Sequence, residues 1–243
     1  MVTAHVMPHL RGERSAREGL GIPEPTRSRR QFIATAAAAA AAWPAAARGD
    51  SGVVRVALET DFGTVVLVIE ATNAPISAKQ FLAYVDSNSF NGALFRRAVH
   101  KDRDPAPVKI DVLQAAVDVK RRLGPIPHEP TTLTGLRHLD GTVSVARREV
   151  GTGNAGDFFV CIGDQPSLDY GGARNPDGQG FAAFGRVISG MDIIQRIWNG
   201  ATVASRYSPQ IADQLTAPVP ILSARRIFPG YECAPDGVDL GCD

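Results

Sequence analysis

Short apolar segments of strand length, set off by glycine, decide what this chain can fold into. The clearest are Gly156-Asp157-Phe158-Phe159-Val160-Cys161-Ile162 and Gly180-Phe181-Ala182-Ala183-Phe184-Gly185-Arg186-Val187, with Phe95-Arg96-Arg97 upstream. Further segments follow the same rule. Val54, Val56 and Leu58 alternate with Arg55, Ala57 and Glu59 as in a half-buried strand, and Asp61-Phe62-Gly63 turns the chain into the apolar run Val65 to Ile69, a hairpin. Gly141 to Ala146 and Val219 to Arg225 read as additional strands. The 17 prolines and 24 glycines are spread without a repeat, as many short strands joined by turns require.

Only two helices are expected. Pro75 precedes Ser77, and Gln80 follows three residues later, a capping-box pattern ahead of Phe81, Leu82 and Val85; it predicts a helix over Ser77 to Asp86. Gly190-Met191-Asp192 opens a second, shorter helix through Ile194 and Ile197. A mainly β fold, an antiparallel barrel closed at its ends by two helices, satisfies this order, because closure removes exposed sheet edges. Gly151-Thr152-Gly153-Asn154-Ala155-Gly156 matches the dinucleotide-binding glycine pattern, but it runs into a strand, whereas that motif must open a helix whose N-terminus takes the pyrophosphate.

Residues 1–50 form a separate object. Arg29-Arg30 precedes Phe32 and an uncharged, alanine-dominated run from Ala34 to Ala47, the layout of a twin-arginine-type export signal and linker. The run is shorter than the roughly 20 residues a membrane span needs. Residues 51–229 then make one domain, and residues 230–243 a tail in which Cys233 and Cys242 can close a disulfide loop. Cys161, among apolar neighbours, reads as a buried strand thiol. Twenty-six basic against 25 acidic residues give no field that would attract nucleic acid. His100, His128 and His138 have no metal-ligand spacing, so neither a metal nor another cofactor is expected.

Several segments together resemble the cyclophilins, the cyclophilin-type peptidyl-prolyl cis-trans isomerases. Phe95-Arg96-Arg97-Ala98-Val99 is similar to the family's Phe-His-Arg motif, Leu113-Gln114-Ala115-Ala116 to its Gln-Gly-Gly segment, Ser144-Val145-Ala146-Arg147 to Ser-Met-Ala-Asn/Arg, and Gly156-Asp157-Phe158-Phe159 to Ser-Gln/Asp-Phe-Phe. The resemblance runs from about Val53 to Ile227 and implies an eight-stranded barrel with two capping helices. It also implies Arg97 and Gln114 as catalytic residues, and Ala146, Phe159, Leu168 and Phe181 as the substrate-binding wall around a proline ring. The partners implied are proline-containing peptides and unfolded or folding proteins; the export signal places the meeting outside the cytoplasm, and the protein is expected to be a monomer. The chain departs from the pattern between Arg97 and Gln114, where His100 to Pro107 is inserted; Asp111 and Val112 stand where the family has a pocket phenylalanine and methionine, and Ala115 and Ala116 replace two glycines. Those departures keep a second expectation open, a proline-peptide binding module or chaperone with weak or no turnover.

The chemistry suits the residues. Rotation about an Xaa-Pro bond is slow because amide resonance must be lost, and it needs no acid, base or nucleophile. A donor that binds the prolyl nitrogen better as its lone pair localises lowers the barrier by differential binding. Arginine, always charged and carrying five donors, fits that task.

Overall fold

The computed structural model describes residues 52–204 and 213–228, all within one compact unit. The leader, the tail and the Cys233–Cys242 pair lie outside the described residues. In chain order the elements are β1 (Val54–Thr60), β2 (Gly63–Ile69), α1 (Pro75–Asp86), β3 (Ala93–Val99), β4 (Val112–Ala116), α2 (Thr131–Thr134), β5 (Thr142–Val145), β6 (Asp157–Cys161), β7 (Ala182–Ser189), α3 (Met191–Trp198), β8 (Thr202–Val203) and β9 (Gln214–Ile227). The sheet order is β1-β2-β7-β5-β6-β4-β3-β9, and β9 pairs back onto β1, so eight antiparallel strands close into a barrel. The short β8 hangs on β9 as a hairpin.

Local chemistry explains the elements that were legible in sequence. The β1–β2 hairpin turns tightly, with Thr60 opposite Gly63 and the Thr60 hydroxyl donating to the Gly63 carbonyl at 2.8 Å. Phe81, Phe90, Phe95, Phe158 and Phe184 are fully buried and meet as ring pairs 4.9–6.2 Å apart, filling the interior with edge-on and tilted contacts. Gly156 is glycine because the backbone passes close to Tyr84; a Cβ there would stand 2.7 Å from the Tyr84 ring. The glycine pattern that ends at Gly156 thus serves close packing ahead of β6, and no helix follows it.

Three expectations are corrected. Helix α1 starts at Pro75, and Ser77 lies inside its first turn, so Ser77 and Gln80 form no capping box. The first-turn amides of Ile76 and Ser77 instead donate to the buried Glu129 carboxylate at 3.0 and 2.7 Å, with the Ser77 hydroxyl at 2.6 Å. Gln80 ties α1 to distant backbone, donating to the Gly124 carbonyl and accepting from the Ala155 amide. The last strand is longer than Val219 to Arg225, because β9 runs from Gln214 along β3 and then along β1. Lastly, a single helical turn, α2, is added to the two expected helices.

Candidate functional site

On one face of the barrel wall, residues from neighbouring strands line up in register. Arg97 on β3 pairs with Gln114 on β4, Gln114 with Phe159 on β6, and Phe159 with Ser144 on β5. Two residues further along each of the first three strands, Val99, Val112 and Cys161 form a parallel row. Since side chains alternate across a strand, these rows share the face opposite Phe95 and Phe158, which point into the core. The alternation left open which of Phe158 and Phe159 faces outward; the pairing decides for Phe159.

Arg97 reaches this face through a bulge. The register shifts between Phe95 and Arg97 against both β4 and β9; against β4 it leaves Arg96 as the extra residue and re-aims the arginine after it. The Arg97 side chain is 22 % exposed, against 40 % for Arg96. Its Nη1 donates to Gln114 Oε1 at 3.4 Å, and Nη2 stands 3.7 Å from the Asp213 carboxylate at the start of β9. Burial pushes the Arg97 pKa below the usual guanidinium value, and Asp213 opposes that shift. Arg96 turns elsewhere, 3.9 Å from Asp157, whose other oxygen is taken by Arg122.

Beside Arg97 and Gln114 lies an apolar cluster distinct from the barrel core. Phe159, Leu168 and Phe181 belong to it with Val99, Ile110, Val112 and Cys161, and Ala146 packs on its edge. The Phe159 and Phe181 rings meet edge to face at 5.3 Å. The Phe181 amide donates to the Leu168 carbonyl at 2.8 Å, and the Arg147 guanidinium lies over the Phe181 ring at 5.3 Å. All six residues singled out in sequence are therefore brought together. Cys161 is fully buried, and burial raises its pKa far above the ordinary thiol value, which excludes it as a nucleophile.

Sequence reasoning missed four things here. Ile110, just after the inserted segment, supplies a buried side chain beside the pocket, while Asp111 turns away and accepts the Lys101 amide at 2.6 Å. Arg174 is tied to the buried Asp104 and to the Val108 carbonyl, so the insertion is clamped to the segment before β7. Asp213 is wholly buried opposite Arg97, and nothing in its local sequence marks it. Fourth, His138 stacks on Phe159 and joins Asp169 at 2.7 Å to Ser144 at 2.9 Å. Those spacings resemble a hydrolytic triad, but Ser144 is fully buried, so the chain of bonds holds the Phe159 ring from behind rather than presenting a hydroxyl. Burial works to raise the Asp169 pKa, yet its bonds to His138 and the nearby Arg137 outweigh this and hold it below the usual carboxylate range.

The family model described as cyclophilin type peptidyl-prolyl cis-trans isomerase/CLD matches residues 55–226. Peptidyl-prolyl cis-trans isomerase cyp18 of Streptomyces antibioticus is 31 % identical over 170 residues, covering 70 % of this chain and 96 % of that one. Peptidyl-prolyl cis-trans isomerase A of Dickeya dadantii is 30 % identical over 142 residues, 58 % of this chain and 70 % of that one. A cyclophilin-type isomerase from Cryptosporidium parvum, also crystallised in the presence of the dipeptide Ala-Pro, shares the fold with a TM-score of 0.54 at 15 % identity, over 72 % of this chain and 98 % of its own. With a closed eight-stranded barrel, a family match over most of its length and a bacterial relative covered almost end to end, the chain belongs to the cyclophilin-type peptidyl-prolyl cis-trans isomerases.

Proposed function

We propose that Arg97 is the catalytic donor of an isomerase exported to work on folding proteins outside the cytoplasm. The observation that carries this reading is the Arg97–Gln114 contact at 3.4 Å on the bulged edge of an apolar cluster. In it, the proline ring packs against Phe159, Leu168, Phe181 and Ala146. One Arg97 N–H points at the prolyl nitrogen and strengthens its bond as resonance fades. Gln114, whose oxygen accepts from Arg97, uses its amide N–H groups to hold a substrate carbonyl. Proline-containing segments of unfolded chains are the substrates. Export is supported by the Arg29-Arg30 pair and the apolar run after it.

The test is isomerisation of Xaa-Pro peptides by the domain from residue 51 onward. Removing one preorganised donor costs roughly a hundred- to a thousandfold in rate, so Arg97→Ala is expected to lose that much of kcat/KM. If Arg96→Ala inactivates and Arg97→Ala does not, the donor is the other arginine. A second reading, binding with little turnover, draws on Ile110, which follows the inserted segment and packs into the pocket cluster. Peptide binding by a wild-type domain without measurable isomerisation would establish that reading instead.

A further inference from the structure

Arg97 is held loosely for a group that must be aimed. Among the described residues its one hydrogen bond is the 3.4 Å contact to Gln114, and its Nε is buried with no hydrogen-bond partner there. Behind it, the Asp213 side chain is completely shielded from solvent, and neither carboxylate oxygen has a hydrogen-bond partner among the described residues. Asp213 is itself fixed, since its carbonyl accepts the Ala98 amide at 2.9 Å, next to the bulge that aims Arg97. For a buried carboxylate without a hydrogen-bond donor among the described residues, the guanidinium 3.7 Å away is the strongest stabilising charge, with Arg103 and His100 adding less.

We propose that Asp213 is the positioning residue of Arg97, orienting the guanidinium toward the substrate by charge across the β3–β9 pair. The proposal rests on the reading of Arg97 as the donor. In its ionised form, Asp213 draws Nη2 back toward β9 and restrains rotation about the end of the side chain. That leaves the face of the guanidinium beside Gln114 directed at the apolar cluster. When Asp213 is protonated, the attraction disappears and Arg97 is held only by the long bond to Gln114.

This arrangement gives catalysis an acid limb. Among the described residues, the titratable and charged groups facing Asp213 are Arg97 from β3 and His100, Arg103 and Asp104 from the β3–β4 connection. Asp104 is already bound by Arg174. Burial of His100, beside Arg103 and stacked on Trp198, lowers its pKa, so it adds no fixed positive charge at neutral pH. Burial of Asp213 outweighs its attraction to Arg97 and raises its pKa above the ordinary carboxylate value. Activity therefore falls with acid at a pH higher than an exposed aspartate would set.

The experiment is NMR exchange on an Xaa-Pro peptide, giving kcat and KM from neutral pH downward for wild type, Asp213→Asn, Arg97→Ala and the double variant. Wild-type kcat is expected to decline in acid with KM nearly constant. Asp213→Asn should lower kcat about ten- to a hundredfold at neutral pH, the cost of misplacing one catalytic group by about an ångström, and its residual rate should lack the acid limb. Added to Arg97→Ala, it should cost nothing more. A residue that only supported the fold would leave the shape of the pH profile unchanged. Wild-type kcat in Asp213→Asn, or an acid limb that persists in it, overturns the proposal while a dead Arg97→Ala keeps the donor assignment. An active Arg97→Ala sinks the donor assignment first. Should Asp213→Asn not fold, the wild-type profile decides alone: kcat independent of pH through the acid range overturns the idea.

Discussion

Arg97 and Asp213 also make a statement about stability. The side chains form a largely desolvated pair, and breaking such a pair from one side leaves an uncompensated buried charge, worth about 3 kcal/mol. Because burial raises the Asp213 pKa in the folded state, the contribution of this group is greatest in acid and is lost as pH rises through that raised value. Removing the arginine sharpens the effect. Arg97→Ala is therefore expected to be clearly destabilised in urea at pH 7 and much less so at pH 5, and adding Asp213→Asn should restore most of the loss at pH 7. Equal destabilisation of Arg97→Ala at both pH values would show that the Asp213 charge is not the cause. Within the sequence, Arg97 is one of two adjacent arginines; only the bulge separates the less exposed one from the more exposed one.

Helix α1 shows how an element can be legible while its support is not. Phe81, Leu82 and Val85 recur at helical spacing and are buried, and Pro75 at the first turn needs no amide partner. Ala74, at the N-cap position, has no side-chain oxygen to offer, so the orphan amides are met by Glu129, far along the chain. Hydrogen bonds to a charged group are worth about 1.5 to 3 kcal/mol each when made without strain, and capping losses run to about 2 kcal/mol. Glu129→Ala should therefore lower stability by about 2 to 3 kcal/mol in equilibrium urea unfolding. It should also speed hydrogen exchange in the first turn of α1 ahead of its C-terminal half. A loss under 0.5 kcal/mol would mean that water replaces the carboxylate at no cost. The same lesson applies to Gln80, which the local pattern assigns to the cap and the fold assigns to Gly124 and Ala155.

At the scale of the whole molecule, the leader carries a prediction from sequence alone, since residues 1–50 lie outside the described residues. Replacing Arg29 and Arg30 by lysine should leave precursor in the cytoplasm, read as the ratio of unprocessed to processed chain in cell fractions. Efficient export of that variant would remove the twin-arginine assignment. Within the barrel, period-two alternation and glycine-bounded apolar runs were enough to predict the hairpin and most strands, and the helical spacing of Phe81, Leu82 and Val85 and of Ile194 and Ile197 predicted both longer helices, because each of those signals is local. The order of motifs carried the family, and with it Arg97, Gln114, Ala146, Phe159, Leu168 and Phe181. Strand pairing was not contained in any segment. It took the register of β3, β4, β6 and β5 to set Arg97, Gln114, Phe159 and Ser144 in one row, and the return of β9 to place Asp213 behind the arginine. Burial and charge at such positions depend on neighbours far away in the chain, so local sequence determined which residues prefer strand, helix or turn, and only the closed barrel decided which of them meet.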